Sequence, residues 1–227
     1  MATVRTVLGD IDPEKVEYVA FHEHILFDLV PPGAKGNRSV EISFEDRWQI
    51  DYRSNEAPAN AHQTDVNIAT RELTLFAEDG GHLIVGQSVA GLTRDPCGLA
   101  LAAQASGIHV VAAAGCYTAS YVPPNLMKMD VDELTATFTA EVTDGFPGTS
   151  ICAGIIGEIG CSWPLHPFER GALVAGARAA CATGAVLSVH PGRAPRACAE
   201  ILDIVEGEGL DPARTVLCHM DRTHPDG

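Results

Sequence analysis

The stretch Val16-Glu17-Tyr18-Val19-Ala20-Phe21-His22-Glu23-His24 is an apolar run that closes on two histidines one residue apart. On a β-strand, residues i and i+2 point to the same face. A strand here therefore projects His22 and His24 together and turns Glu23 away. That is a two-nitrogen claw at a strand end, distinct from the helical His-Glu-x-x-His claw with its i, i+4 spacing. Alone, the pair says little. Its meaning depends on what the other apolar runs of the chain end on.

Working outward, apolar runs recur at 82–89, 108–114, 151–158, 185–190 and 215–219. Between them lie stretches that read as helices, at about 64–79, 97–106, 131–143, 167–183 and 195–208, several closed by glycine. Strand and helix alternate throughout. The near-continuous apolar character of the strands suits parallel strands buried on both faces. Six βα units fit either an open doubly-wound sheet or most of a (β/α)₈ barrel. No Gly-x-Gly-x-x-Gly follows the first strand, so a dinucleotide fold has no support.

The polar residues decide between the two. The runs close on His22 and His24, on Glu158, on His190 and on His219. All lie toward the C-terminal ends of their strands, where barrel active sites are built. The fold class read from the chain is α/β, a TIM barrel of about six βα units in one domain over residues 1–227. The connection from Pro31 to about Gln63 is long for a βα loop, and Trp48 and Tyr52 are expected to anchor it by packing. His62, His82, His109, His166 and His224 fall in loops, helix starts or strand starts and are assigned no chemistry.

Bulk properties exclude several classes. Hydrophobic residues make up 46% and charged residues 20%, ordinary values for a globular chain. No apolar run reaches the roughly 18 residues of a membrane span, and Met1 to Thr6 lacks an apolar signal core. The expectation is a cytoplasmic protein. A net charge of −15 argues against nucleic acid or an anionic membrane as partner. The seven cysteines include no Cys-x-x-Cys pair and read as reduced thiols, mostly in the core.

A set of short stretches is shared with a known family. They are Val4-Arg5-Thr6-Val7-Leu8-Gly9, His22-Glu23-His24, Gly91-Leu92-Thr93-Arg94-Asp95-Pro96, the run from Ile156 to Leu165, Ser188-Val189-His190-Pro191-Gly192-Arg193 and Cys218-His219-Met220-Asp221-Arg222-Thr223. On these, the chain resembles the phosphotriesterase family of the amidohydrolase superfamily, in its phosphotriesterase-related branch. The resemblance implies a barrel with a binuclear metal centre at its C-terminal mouth. By that resemblance His22 and His24 hold the inner metal, His190 and His219 the outer one, and a strand-four carboxylate bridges them. Many relatives use a carboxylated lysine there. This chain has only Lys15, Lys35 and Lys128, none ending a core strand, which leaves Glu158 as the bridge.

The implied cofactors are two divalent metal ions, zinc first, with manganese, cobalt or iron as alternatives. The implied function is a metal-dependent hydrolase cleaving a small ester, lactone or amide by attack of a hydroxide shared by the two ions. Asp221, two residues past His219, is a candidate to assist catalysis beside Glu158. Arg193 and Arg222 follow the two outer-metal histidines and suggest a small-molecule substrate carrying an anionic group. Tyr117, on the loop after the third strand, is a candidate pocket wall or hydrogen-bond donor. The family also implies a homodimer and a further aspartate ligand on an eighth strand. The chain is expected to lack strands seven and eight, so that strands one and six keep unpaired apolar edges. The competing reading is a truncated, catalytically incomplete barrel that binds metal or a small ligand without turnover.

Overall fold

A computed structural model gives residues 3–30, 42–52 and 58–223, with the backbone alone at Gln49, Arg222 and Thr223. The chain opens with a hairpin of β1 (Val4–Thr6) and β2 (Gly9–Ile11), followed by β3 (Val19–Glu23) and β4 (Phe27–Asp28). Helix α1 (Arg47–Tyr52) and β5 (His62–Gln63) come next, then α2 (Val66–Glu78), β6 (Leu83–Gly86) and α3 (Pro96–Ser106). Strands β7 (His109–Val111) and β8 (Ala113–Ala114) precede α4 (Val131–Thr143), β9 (Ile155–Gly160) and α5 (Pro167–Thr183). The chain continues through β10 (Leu187–His190), α6 (Pro195–Gly207) and β11 (Thr215–Leu217) to the short helix α7 (Met220–Thr223).

Strands β3, β6 and β7 pair in parallel, and so do β8, β9, β10 and β11. Because β7 and β8 are one stretch interrupted at Ala112, the two ladders form a single sequential sector of a (β/α) barrel. Residue alternation builds two cores. Leu83, Val85, Val111, Ala113 and Ile155 point into the lumen, while Ile84, Val110, Ala112, Ile156, Ile159 and Leu187 pack against the helices. The helices are shaped by local signals. In α5, His166 caps Phe168 N, Pro167 takes the first turn, and Gly184 closes the helix at φ 80°. Small residues let it pack closely on several sides: Ala175, Ala177 and Ala179 are fully buried, and Gly176 faces Leu187 and Ile159 of the sheet.

The β1–β2 hairpin closes the N-terminal end of the lumen. Val7 N donates to Val110 O at 2.8 Å and Arg5 donates to Val142 O at 2.8 Å. A cavity of about 460 Å³ remains there, lined in part by Val4, Val16, Val85 and Ile155. At the sides, β3 and β11 are edges among the described strands. Val19 and Phe21 on β3 are 43% and 42% exposed, as expected for an apolar strand without a neighbour.

Two expectations need correction. Glu158 is not at a strand terminus but fourth of the six residues of β9, and His22 lies inside β3. Nor are Trp48 and Tyr52 of the long connection buried: they are 56% and 86% exposed. Order in that connection comes instead from antiparallel pairing of Phe27 with Gln63 and Asp28 with His62. The rest of it, residues 31–41 and 53–57, lies outside the described residues. Among the described residues, no helix is long and apolar enough to cross a membrane.

Candidate metal centre

Two irregularities in the ladders aim the site residues. Ala20 and Glu23 of β3 pair with Ile84 and Gly86, so three steps on β3 oppose two on β6. Ile156 and Ile159 of β9 pair with Leu187 and Val189, again three steps against two. Each extra residue is a β-bulge, which reverses the side-chain alternation beyond it. Ile156 and Ile159 both face the helices, and the bulge between them turns Glu158 into the lumen. Gly157 makes this turn sterically open. It sits at φ 98°, and a Cβ there would overlap the carbonyl oxygen of Ser188.

Glu158, 1% exposed, is ringed by four imidazoles. His190 Nδ1 lies 3.0 Å and His22 Nε2 and His219 Nε2 each 3.5 Å from its Oε2, and His24 Nε2 lies 3.3 Å from its Oε1. The rings pack edge to face, His22 against His219 at 4.7 Å and His190 against His219 at 4.8 Å between centroids. His219 follows β11 at φ 57°, a left-handed conformation that a non-glycine residue holds only under constraint from its surroundings.

The electrostatics follow from burial and contact. Burial alone would push the Glu158 carboxyl up. Hydrogen bonds from His190 and His24, with the pull of the imidazoles, outweigh it and hold the group well below the usual carboxylate range. Burial lowers His22 to about 4 despite the attraction of Glu158. At neutral pH the site therefore presents an ionised carboxylate and a neutral His22. Neither ring nitrogen of His22 makes a hydrogen bond, although both are buried. Buried polar atoms are rarely left so, and neutral imidazole nitrogen beside carboxylate oxygen is a donor set that divalent metals take. Two groups have ligand atoms within 4.8 Å of one another: Glu158 with His190 and His219, and Glu158 with His22 and Cys218. The residues present thus fit a metal site, and the shared carboxylate fits a bridge.

Surrounding residues orient the ring. Ser88 Oγ lies 3.2 Å from His24 Nδ1, leaving Nε2 to face Glu158. Such outer partners fix tautomer and ring orientation. Ser88→Ala is expected to weaken divalent metal binding about 10- to 100-fold, measured by competition with a chromogenic chelator. Tyr117 lies with its ring 5.2 Å from His190 and 5.5 Å from Tyr121. Its loop is fastened by the buried carboxylate of Glu169, which accepts from Ala119 N at 2.8 Å, Ser162 N at 2.7 Å and Ser162 Oγ at 2.6 Å.

The other sequence candidates are placed less tightly. Arg193 is exposed two residues before α6, and Asp221 is exposed at the start of α7. Among the described residues neither forms a hydrogen bond or ion pair with the ring. The side chain of Arg222 lies outside the described residues. Ser88, Cys218 and Glu169 were not singled out from sequence. For Ser88 the signal was there, a polar residue one short of the end of the apolar run 82–89. The Gly91–Pro96 motif has a structural part: Arg94 pairs with buried Glu141 and stacks 4.8 Å from the centre of the Phe146 ring, and Asp95 caps α3 at Gly98 N.

A sequential (β/α) barrel sector with a histidine-ringed carboxylate toward the C-terminal side of its strands defines a barrel protein with a metal-type mouth site. The chain belongs to the phosphotriesterase family, whose model matches residues 2–227. It is 35% identical to the N-acetyltaurine hydrolase of Homo sapiens over 97% of this chain and 65% of that one. It is 32% identical to a phosphotriesterase-related protein of Nematostella vectensis over 96% and 65%. Among solved structures, a resiniferatoxin-binding protein from Rhodobacter sphaeroides superposes with a TM-score of 0.92 at 33% identity, over 99% of this chain and 64% of that one. The chain thus spans about 65% of the length of the curated relatives it matches.

Proposed function

We propose that the chain is the metal-binding part of a hydrolase that cleaves the amide of a small acylated amine carrying an anionic group. The observation that carries the reading is Glu158, buried and ionised within reach of four imidazoles. His22 and His24 would hold one divalent ion, His190 and His219 a second, with Glu158 shared; zinc suits the mixed nitrogen and oxygen donors best. When bound, such a pair of ions lowers the pKa of water from about 15.7 toward 7 and polarises a carbonyl oxygen. The chain's own residues supply the rest. Glu158 keeps its charge at neutral pH and balances the ions. Ser88 holds the His24 ring at Nδ1, which leaves Nε2 turned toward the ion and Glu158. Tyr117, against His190, offers its ring as a wall for the acyl group. Arg193, exposed past His190, would attract an anion, and Asp221, past His219, would accept a proton.

The amide and the anion are supported by the relatives named N-acetyltaurine hydrolase, whose named substrate joins an acetamide to a sulfonate. The test is release of taurine from N-acetyltaurine by zinc-loaded protein, compared with N-ethylacetamide, which has the same amide without the charge. The sulfonate is expected to favour the charged substrate by about tenfold or more in kcat/KM, about 1.4 kcal/mol. No hydrolysis of either compound, or of simple esters, by protein that holds metal would overturn the reading.

A further inference from the structure

We propose that Cys218 is a metal ligand, so that one of the two ions is bound partly through sulfur. The inference rests on the metal-centre reading above. Leu217 packs among the helices, so alternation turns Cys218 into the lumen, one residue past the end of β11. There it is buried, at 6% exposure. Its Sγ, an oxygen of Glu158 and a nitrogen of His22 all lie within 4.8 Å of one another. Ligand atoms on one tetrahedral zinc stand roughly 3.3–3.8 Å apart, given bonds of about 2.3 Å to sulfur and about 2.0–2.1 Å to nitrogen or oxygen. On binding, the three donors would draw together by up to about 1.5 Å.

The second observation is His22 itself, whose two ring nitrogens are both buried and without hydrogen bonds. A ring nitrogen that no hydrogen bond engages, a shared carboxylate and a thiol together make a three-donor set. Ser188 Oγ lies 3.2 Å from Cys218 Sγ and fixes the direction of the sulfur. On binding, the S–H bond breaks, a sulfur–metal bond forms, and the proton leaves to solvent. No oxidant or reductant is needed. The other group, Glu158 with His190 and His219, contains no sulfur. The two positions therefore differ in softness, and the one with Cys218 is expected to favour zinc, cobalt or cadmium over magnesium or manganese.

The test uses the unmodified chain loaded with zinc and examined by X-ray absorption at the metal edge. A sulfur shell at about 2.3 Å beside nitrogen and oxygen at about 2.0–2.1 Å is the expected result. With cobalt in place of zinc, a sulfur-to-cobalt charge-transfer band is expected, and it is expected to vanish in Cys218→Ser, which keeps cobalt at His190 and His219. Bound zinc with nitrogen and oxygen neighbours alone would overturn this inference and leave the hydrolase reading standing. Failure to bind zinc at all would overturn both.

Discussion

Glu158→Gln is expected to lower divalent metal affinity by on the order of 10²-fold or more and the rate of amide hydrolysis by on the order of 10³-fold. The substitution keeps the shape of the side chain and removes its charge. Four imidazoles then lose the one anion they share, and two metal ions would lose their bridge. The metal-free protein offers a second readout. Glu158 and His22 both have folded-state pKa values below their ordinary ones. A group of that kind stabilises the fold above its unfolded pKa, and the contribution is lost as pH falls toward the folded value. For His22 the window runs from 6.5 down to about 4, and for Glu158 it begins at the ordinary carboxylate range and extends below it. The melting temperature of metal-free wild type is expected to fall across both windows. Glu158→Gln is expected to remove the lower part of that fall. An unchanged profile together with unchanged metal affinity would place the carboxylate outside the site's chemistry.

Gly157→Ala is expected to destabilise the fold by more than about 3 kcal/mol, or to prevent soluble expression. Two independent reasons add. The residue sits at φ 98°, where an L side chain is strained, and the new Cβ would overlap Ser188 O and crowd Ile159 N at 2.8 Å. The obstacles are backbone atoms of β10 and β9, which cannot rotate away. Relief requires β9 to move off β10, which would take Glu158 away from His190. Urea denaturation with a metal assay on the same samples checks this. A variant of wild-type stability and full metal content would show that the bulge is not held by the glycine.

The alternation of six strands with helices was legible in the chain because parallel strands buried on both faces are apolar throughout, and helices announce their ends with Asp, Pro and Gly. Helices Val131–Thr143 and Pro167–Thr183 fall where periodicity put them. The site residues were legible as polar breaks in apolar runs. What hydrophobic patterning could not show is the pair of bulges. A bulge adds one residue without changing composition, so Glu158 read as a strand end when it lies inside β9. Cys218 was hidden for a related reason: a thiol passes for a small core residue, and only strand parity shows that it faces the lumen. Trp48 and Tyr52 misled in the other direction, since aromatic residues in a long connection suggest packing and these are exposed. The short hairpin Val4–Ile11 carried no turn signal strong enough to separate it from the loop around it.

The central claim is that the ring around Glu158 binds metal. Its most direct test is the metal content of the purified chain after zinc loading and removal of free ions, read by mass spectrometry of the elements. The expected result is about two zinc ions per chain. A chain that folds and retains no metal would contradict the account.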